Sequence, residues 1–181
     1  MNDVGTLLQH NIKGIERIQK IVLDLRTFAH EGGDIMDLAR VEDIMDSVIN
    51  IVHNEIKYKA ELKKTYGQTP PVKCNPQKIG QVFINLLINA AQAIEKTGTI
   101  EVKTYRQQGY ACIDVRDTGH GIKEEYLKKI FEPFFTTKPV GKGTGLGLSV
   151  SYEIIKKHGG QIKVQSQLGQ GTTFTVMLPS T

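Results

Sequence analysis

Hydrophobic side chains in the first 30 residues recur at steps of three or four. Leu8, Ile12, Ile15, Ile18, Val22, Leu25 and Phe28 are separated by Lys, Arg, Gln and Asp. That spacing predicts one long amphipathic helix over 3–29, closed by "EGGD" at 31–34. A one-sided stripe needs cover, either from its own domain or from another helix in a bundle or coiled coil. A short strand fits "MDLARV", and helical spacing returns from Glu42 to about Lys59. "AELKKTYG" and "PPVKC" read as short strands around a Pro-rich turn. "NPQKIGQVFINLLINAAQAIEKTG" is punctuated as a helix, with Asn75 as N-cap, Pro76 at the first helical position and Gly98 just past the end. "TIEVKTYRQ" and "YACIDVRD" predict a hairpin turning at Gln108-Gly109. A loop-rich region covers 117–144. A helix follows over about 145–158, stopped by Gly159-Gly160, and the strands "QIKVQSQ" and "TTFTVMLP" flank the turn "LGQG". Helices mixed with at least two antiparallel hairpins predict an α+β fold, a sheet covered by helices on one face.

Composition narrows the function classes. The 181 residues suffice for one domain and an appendage, and hydrophobic content of 39% is ordinary for a globular chain. The net charge of +4 is spread without a basic block, and Trp is absent, so nucleic acid is not an expected partner. Cys74 and Cys112 form no CxxC or Cys/His cluster, which points to reduced thiols without zinc. No apolar run approaches a membrane span and no signal-peptide pattern opens the chain, so a cytoplasmic location without membrane contact is expected, while a parent protein could still be membrane-anchored.

Candidate chemistry lies in the second half. On the helix expected after Asn75, Gln81, Asn85, Asn89 and Gln92 are spaced 4, 4 and 3 and share one face. This is either an exposed polar stripe or a set of amide oxygens facing a ligand or a hard cation such as Mg²⁺. In "ACIDVRD", Asp117 has the parity of Ala111, Ile113 and Val115, so a carboxylate continues an apolar face at the strand end. It is either a turn former in "DTG" or an acceptor for a ligand's amine. "GKGTGLGLS" sets glycines at alternate positions before a helix N-terminus. It is either a mobile loop or a hinge that brings backbone N–H groups to an anion, with Lys142 and Thr144 beside it. It matches neither GxxxxGK[ST] nor GxGxxG. The three Phe of "IFEPFFTTKPVG" are unusual for a loop and fit the anchors of a closing lid.

Taken in order, these stretches resemble the ATP-binding domain of sensor histidine kinases, within the gyrase/chaperone/histidine kinase/MutL ATPase superfamily. "QVFINLLINAAQAI" is similar to the N box, "DTGHGI" to the first glycine box, "FEPFFTTK" to the F box, "GTGLGLS" to the second glycine box and "GTTFTVMLP" to the closing strand. The style of "NAAQAI" and "FTTK" resembles kinases of the nitrogen-regulation type. The resemblance implies a two-layer α/β sandwich of the Bergerat type with a mixed, mostly antiparallel sheet. It assigns 35–181 to the catalytic domain and 1–31 to the second helix of a dimerisation hairpin.

It also implies ATP and Mg²⁺ as cofactors. Asn89 would coordinate the metal, with Asn85 nearby, and Asp117 would accept from the adenine amino group. Gly119 and Gly121 would give the base room, and Thr172 would touch its pocket. Gly143, Thr144, Gly145, Leu146 and Gly147 would form the hinge and helix start at the phosphates. Lys138 is either a phosphate contact or a solvated loop lysine. Many members carry a basic residue where Gln92 stands. The implied partners are ATP or ADP, a response-regulator receiver domain and a second copy in the complete kinase. No catalytic residue is assigned, because none of the five histidines fits the phosphoacceptor pattern; His10 is followed by "NIKG" and His30 by "EGGD". The chain alone is therefore expected to bind nucleotide with little or no autokinase activity. A serine kinase of the anti-sigma type and an ATP-gated dimerising clamp are the alternatives on the same fold.

Overall fold

The computed structural model describes residues 35–139 and 143–180. The helix expected over 3–29, the expected unit 1–31, Gly141 and Lys142 lie outside the described residues. The element order is β1 (Asp37–Ala39), α1 (Val41–Ile56), β2 (Ala60–Tyr66), β3 (Val72–Cys74), α2 (Pro76–Ala93), β4 (Gly98–Gln107) and β5 (Tyr110–Asp117). A short α3 (Glu124–Leu127), then α4 (Gly147–Lys157), β6 (Gln161–Gln167) and β7 (Gly171–Pro179) complete it. β2, β4, β5, β7 and β6 form one sheet in that order; β2 runs parallel to β4 and the other neighbours are antiparallel. β1 and β3 make a separate antiparallel pair. This is the α+β sandwich expected from the pattern.

Alternation along the strands produces a single apolar face. Val102, Val115 and Phe174 are cross-strand neighbours, as are Thr104, Ile113 and Val176, and all six are buried. The next row holds Ile100, Asp117 and Thr172, also buried, so the core face ends in a carboxylate and a hydroxyl. α1 supplies Met45, Val48 and Val52 and α2 supplies Ile79, Phe83 and Leu87 to the same core. Burial of these side chains is the main stabilising term. Cys74 and Cys112 are free and buried, and burial pushes the Cys74 thiol up to about 11, which suits packing rather than reactivity.

Local punctuation shaped most elements as expected. Asn75 caps α2 by accepting from Lys78 N–H at 3.0 Å, and Pro76 occupies its first position. The hairpin between β4 and β5 turns with positive φ at Gln108 (49°) and Gly109 (81°). Gly98 differs from expectation. α2 stops at Ala93, Ile94 is already extended, and Gly98 begins β4 with its N–H on Lys59 O at 3.0 Å. The end of α2 is instead satisfied from a distance: Ala93 O accepts from His120 N at 3.0 Å.

His158 joins the end of α4 to the start of α2. Its Nε2 lies 3.0 Å from Asn75 N and its Nδ1 2.7 Å from Ile154 O. A carbonyl only accepts and an amide N–H only donates, so the ring is neutral with its proton on Nδ1. His158→Ala strands the Asn75 N–H, and we expect a loss of about 1–2 kcal/mol, read as roughly 3–6 °C in Tm. An unchanged thermal unfolding curve would show that this N–H finds another partner.

Candidate functional site

A cavity of about 640 Å³ opens between α2, the end of β5 and the segments that lead into α4. Ten of the twelve residues expected at a site reach its wall: Asn85, Asn89, Asp117, Gly121, Lys138, Gly143, Thr144, Gly145, Gly147 and Thr172. Gly119 and Leu146 do not. Leu146 is buried in the core just before α4, and Gly119 packs against the end of α2.

One end of the cavity is built on Asp117. The strand parity that ends the apolar face in a carboxylate also buries it, to 3% exposure. Burial is the largest influence and raises its pKa above the ordinary 3.8, opposed by the Gly119 N–H, the Thr172 backbone and nearby His120. Gly119 N donates to Oδ1 at 2.8 Å. Thr172 shares its hydroxyl with Ser166 Oγ at 2.9 Å. A desolvated acceptor beside apolar Ile122 and Phe174 suits a flat heterocycle that carries an amine. His120 is exposed at this rim, with Nδ1 2.7 Å from Gly121 O.

The glycines at this end also have a packing role that the sequence did not show. A Cβ at Gly119 would lie 2.5 Å from Ala93 O, and one at Gly121 would lie 2.2 Å from Gln167 O. Gly121 also has φ +71°. Both positions therefore make room for protein backbone: the loop after β5 is wedged between the end of α2 and the β6–β7 turn.

The other end is polar and belongs to α2 and α4. Asn89 Oδ1 accepts from Lys138 Nζ at 2.9 Å, and Gln92 Oε1 accepts from the same ammonium. Asn85 also lines the cavity, and its Nδ2 donates to Gly147 O at 3.1 Å and to Ser151 Oγ at 3.3 Å, which fixes the first turn of α4 against α2. Ser151, fully buried, was not singled out from the sequence; a serine pair inside the apolar "GLSVSYEII" was its only signal. Leu146 gives α4 no side-chain cap, so the first turn presents N–H groups and the positive end of the helix dipole at the cavity.

Aromatic pairs hold the connecting loop. Phe131 packs on Tyr152 of α4 and Phe135 on Tyr126 of α3, with centroids 5.5 and 5.6 Å apart. Of the three Phe expected as anchors, Phe134 is the exception: it is 65% exposed and has φ 66°. Gly145, at φ +70°, crosses so close that a Cβ would sit 2.3 Å from the Phe134 carbonyl carbon. Gly147 is looser, with nothing nearer than 3.6 Å.

Among the described residues no cluster of three or more His, Cys, Asp or Glu could hold a metal. The side-chain oxygens that α2 brings to the polar end are amides, and a side-chain ammonium already sits on two of them as a stand-in cation. That donor chemistry fits a hard ion such as Mg²⁺, which takes one or two protein oxygens and completes its shell with water and phosphate. Among the described residues, no helix is long and apolar enough to cross a membrane.

Residues 74–181 match the family described as histidine kinase-, DNA gyrase B- and HSP90-like ATPase. The chain is 38% identical over 186 residues to sensor kinase CckA of Brucella abortus (strain 2308), covering 93% of this chain and 20% of that protein. It is 34% identical to sensor histidine kinase ZraS of Escherichia coli (strain K12), covering 96% of this chain and 37% of that one. The chain thus spans between a fifth and two fifths of these relatives. Among solved structures, the nucleotide-free catalytic domain of histidine kinase ThkA superimposes with TM-score 0.72 at 30% identity, over 80% of this chain and 95% of that one.

Proposed function

The chain belongs to the histidine kinase-, DNA gyrase B- and HSP90-like ATPase family, as the ATP-binding catalytic domain of a sensor histidine kinase, and we propose that it holds Mg-ATP so that the whole protein can move the γ-phosphoryl to a histidine. The observation that carries the reading is the polarity of one cavity. A buried carboxylate stands at the apolar end, and amides, an ammonium and a helix N-terminus stand at the other. Adenine and polyphosphate differ in the same sense.

In this reading Asp117 accepts from the adenine amine, and Thr172, Ile122 and Phe174 border the base. Asn89 would hold Mg²⁺, which would supply positive charge against the phosphates. Asn85 holds α4 in place, and α4 offers its N–H groups to the phosphate oxygens through Gly145–Gly147. Lys138 adds a positive charge. Phosphoryl transfer of this kind depends on position and charge neutralisation, and these residues supply the donor side of both. The acceptor histidine, a receiver-domain aspartate that takes the phosphoryl next, and the second copy in a dimer belong to the proposal for the whole protein, as does the division at 1–31 and 35–181. The nitrogen-regulation style rests on "NAAQAI" and "FTTK". The sensor-kinase relatives favour this reading over an anti-sigma serine kinase or a dimerising clamp.

Calorimetric titration tests it. ATP and ADP should both bind, more tightly with Mg²⁺. Asn89→Ala should reduce the affinity for the magnesium complexes about tenfold and leave metal-free nucleotide nearly unchanged. Equal losses with and without the metal would remove Asn89 from the coordination shell, and absence of nucleotide binding by the unaltered chain would overturn the reading itself.

A further inference from the structure

Lys138 reaches the polar end of the cavity from the loop after α3 and meets two amide oxygens on α2. Nζ is 2.9 Å from Asn89 Oδ1 and hydrogen-bonded to Gln92 Oε1. The two acceptors are three residues apart, so they face the same way on neighbouring turns. The lysine is half-buried, whereas Gln92 is exposed at the cavity rim. An exposed glutamine on a helix gains little by folding its side chain onto a lysine unless the lysine is wanted there, since ordering two long side chains costs entropy.

The two oxygens are not equivalent. With Mg²⁺ held by Asn89, as proposed above, that oxygen would face a divalent cation. Two cations cannot share one amide oxygen without strong repulsion. The ammonium would then be drawn off Asn89, and Gln92, nearer the end of α2, is an acceptor that already holds it.

We propose that Gln92 is a positioning residue: its side-chain carbonyl holds the Lys138 ammonium at the polyphosphate end of the cavity, so that a loop lysine supplies charge that α2 itself lacks there. α2 has no basic residue after Lys78. The inference rests on the ATP reading and adds the role of Gln92 to it.

A double-mutant cycle separates this role from a structural one. ATP and adenosine are titrated, with Mg²⁺ present, against the unaltered chain, Gln92→Ala, Lys138→Met and the double variant. Gln92→Ala should weaken ATP about three- to tenfold and leave adenosine unchanged, because the nucleoside has no phosphate for the ammonium to meet. Lys138→Met should weaken ATP by at least as much. The double variant should equal Lys138→Met alone, since Gln92 acts only through the lysine. If Gln92→Ala costs as much in the Lys138→Met background as in the unaltered chain, or weakens adenosine equally, the role assigned to Gln92 is wrong while the ATP site stands. If the unaltered chain binds neither ligand, both readings fall.

Discussion

Asp117→Asn is expected to weaken ATP and ADP by the same factor, about 10- to 100-fold, in calorimetric titration. The two nucleotides share the base, and Asp117 lines the end of the cavity where the proposal puts it. The carboxylate is an acceptor with no donor of its own, and its surroundings donate to it: Gly119 N–H at 2.8 Å, and in the proposed complex the adenine amine. An asparagine oxygen can keep Gly119, but its NH₂ then faces the amine as a second donor. The fold should survive, because the asparagine oxygen keeps the Gly119 N–H. A larger loss for ATP than for ADP would mean that Asp117 lies near phosphate, and equal affinities in variant and parent would move the base elsewhere.

The same substitution has a pH signature with a definite sign. Burial raises the Asp117 pKa in the folded chain above 3.8. Stability contributed by such a group is present below the unfolded value and is lost as pH rises through the folded one. Asparagine stays neutral throughout. The Tm of Asp117→Asn should therefore improve relative to the parent as pH goes from about 4 to about 7 in thermal unfolding. A gap that moves the other way would mean that the N–H groups around the carboxylate outweigh its burial.

Gly121→Ala should cost about 3–5 kcal/mol, or prevent folding, with or without nucleotide. Two terms act together. The residue sits at φ +71°, which an L side chain rarely adopts, and its new methyl would meet Gln167 O at 2.2 Å. Backbone on both sides leaves no flexible group to yield: Ala93 O accepts from His120 N, and His120 O accepts from Gly169 N at 2.8 Å. Gly147→Ala is the control, because its nearest neighbour is 3.6 Å away and its φ is ordinary for a helix start. Chemical denaturation of the two variants compares them directly. Similar midpoints would refute the wedge between α2 and the β6–β7 turn, and would return Gly121 to the role of making room for a base.

Several features were legible in the sequence because their causes are local. Asn75 and Pro76 start α2 through a side-chain cap and a fixed φ that act within four residues. Gln108-Gly109 turn the hairpin through their own backbone preferences. Parity along "ACIDVRD" placed Asp117 on the apolar face, since alternation in a strand needs no knowledge of the neighbours. The end of α2 was misread for the opposite reason. Gly98 has the chemistry of a helix stop, but Ala93 O is satisfied by His120 N, and β4 draws the following residues into the sheet.

Among the described residues, periodicity, caps and turn chemistry were enough to place the main strands and helices and their apolar faces, because these act along the chain, whereas the short α3 was missed and the residues gathered at the cavity were implied by the family resemblance. What only the tertiary structure decided was the use of those residues. Asn85 became a brace for α4, Gly119 and Gly121 became seats for backbone, and Lys138 settled on α2 at residues 49 and 46 positions away. Hydrogen bonds and close contacts depend on distance through space, and packing of the core brings such segments together only after each has formed.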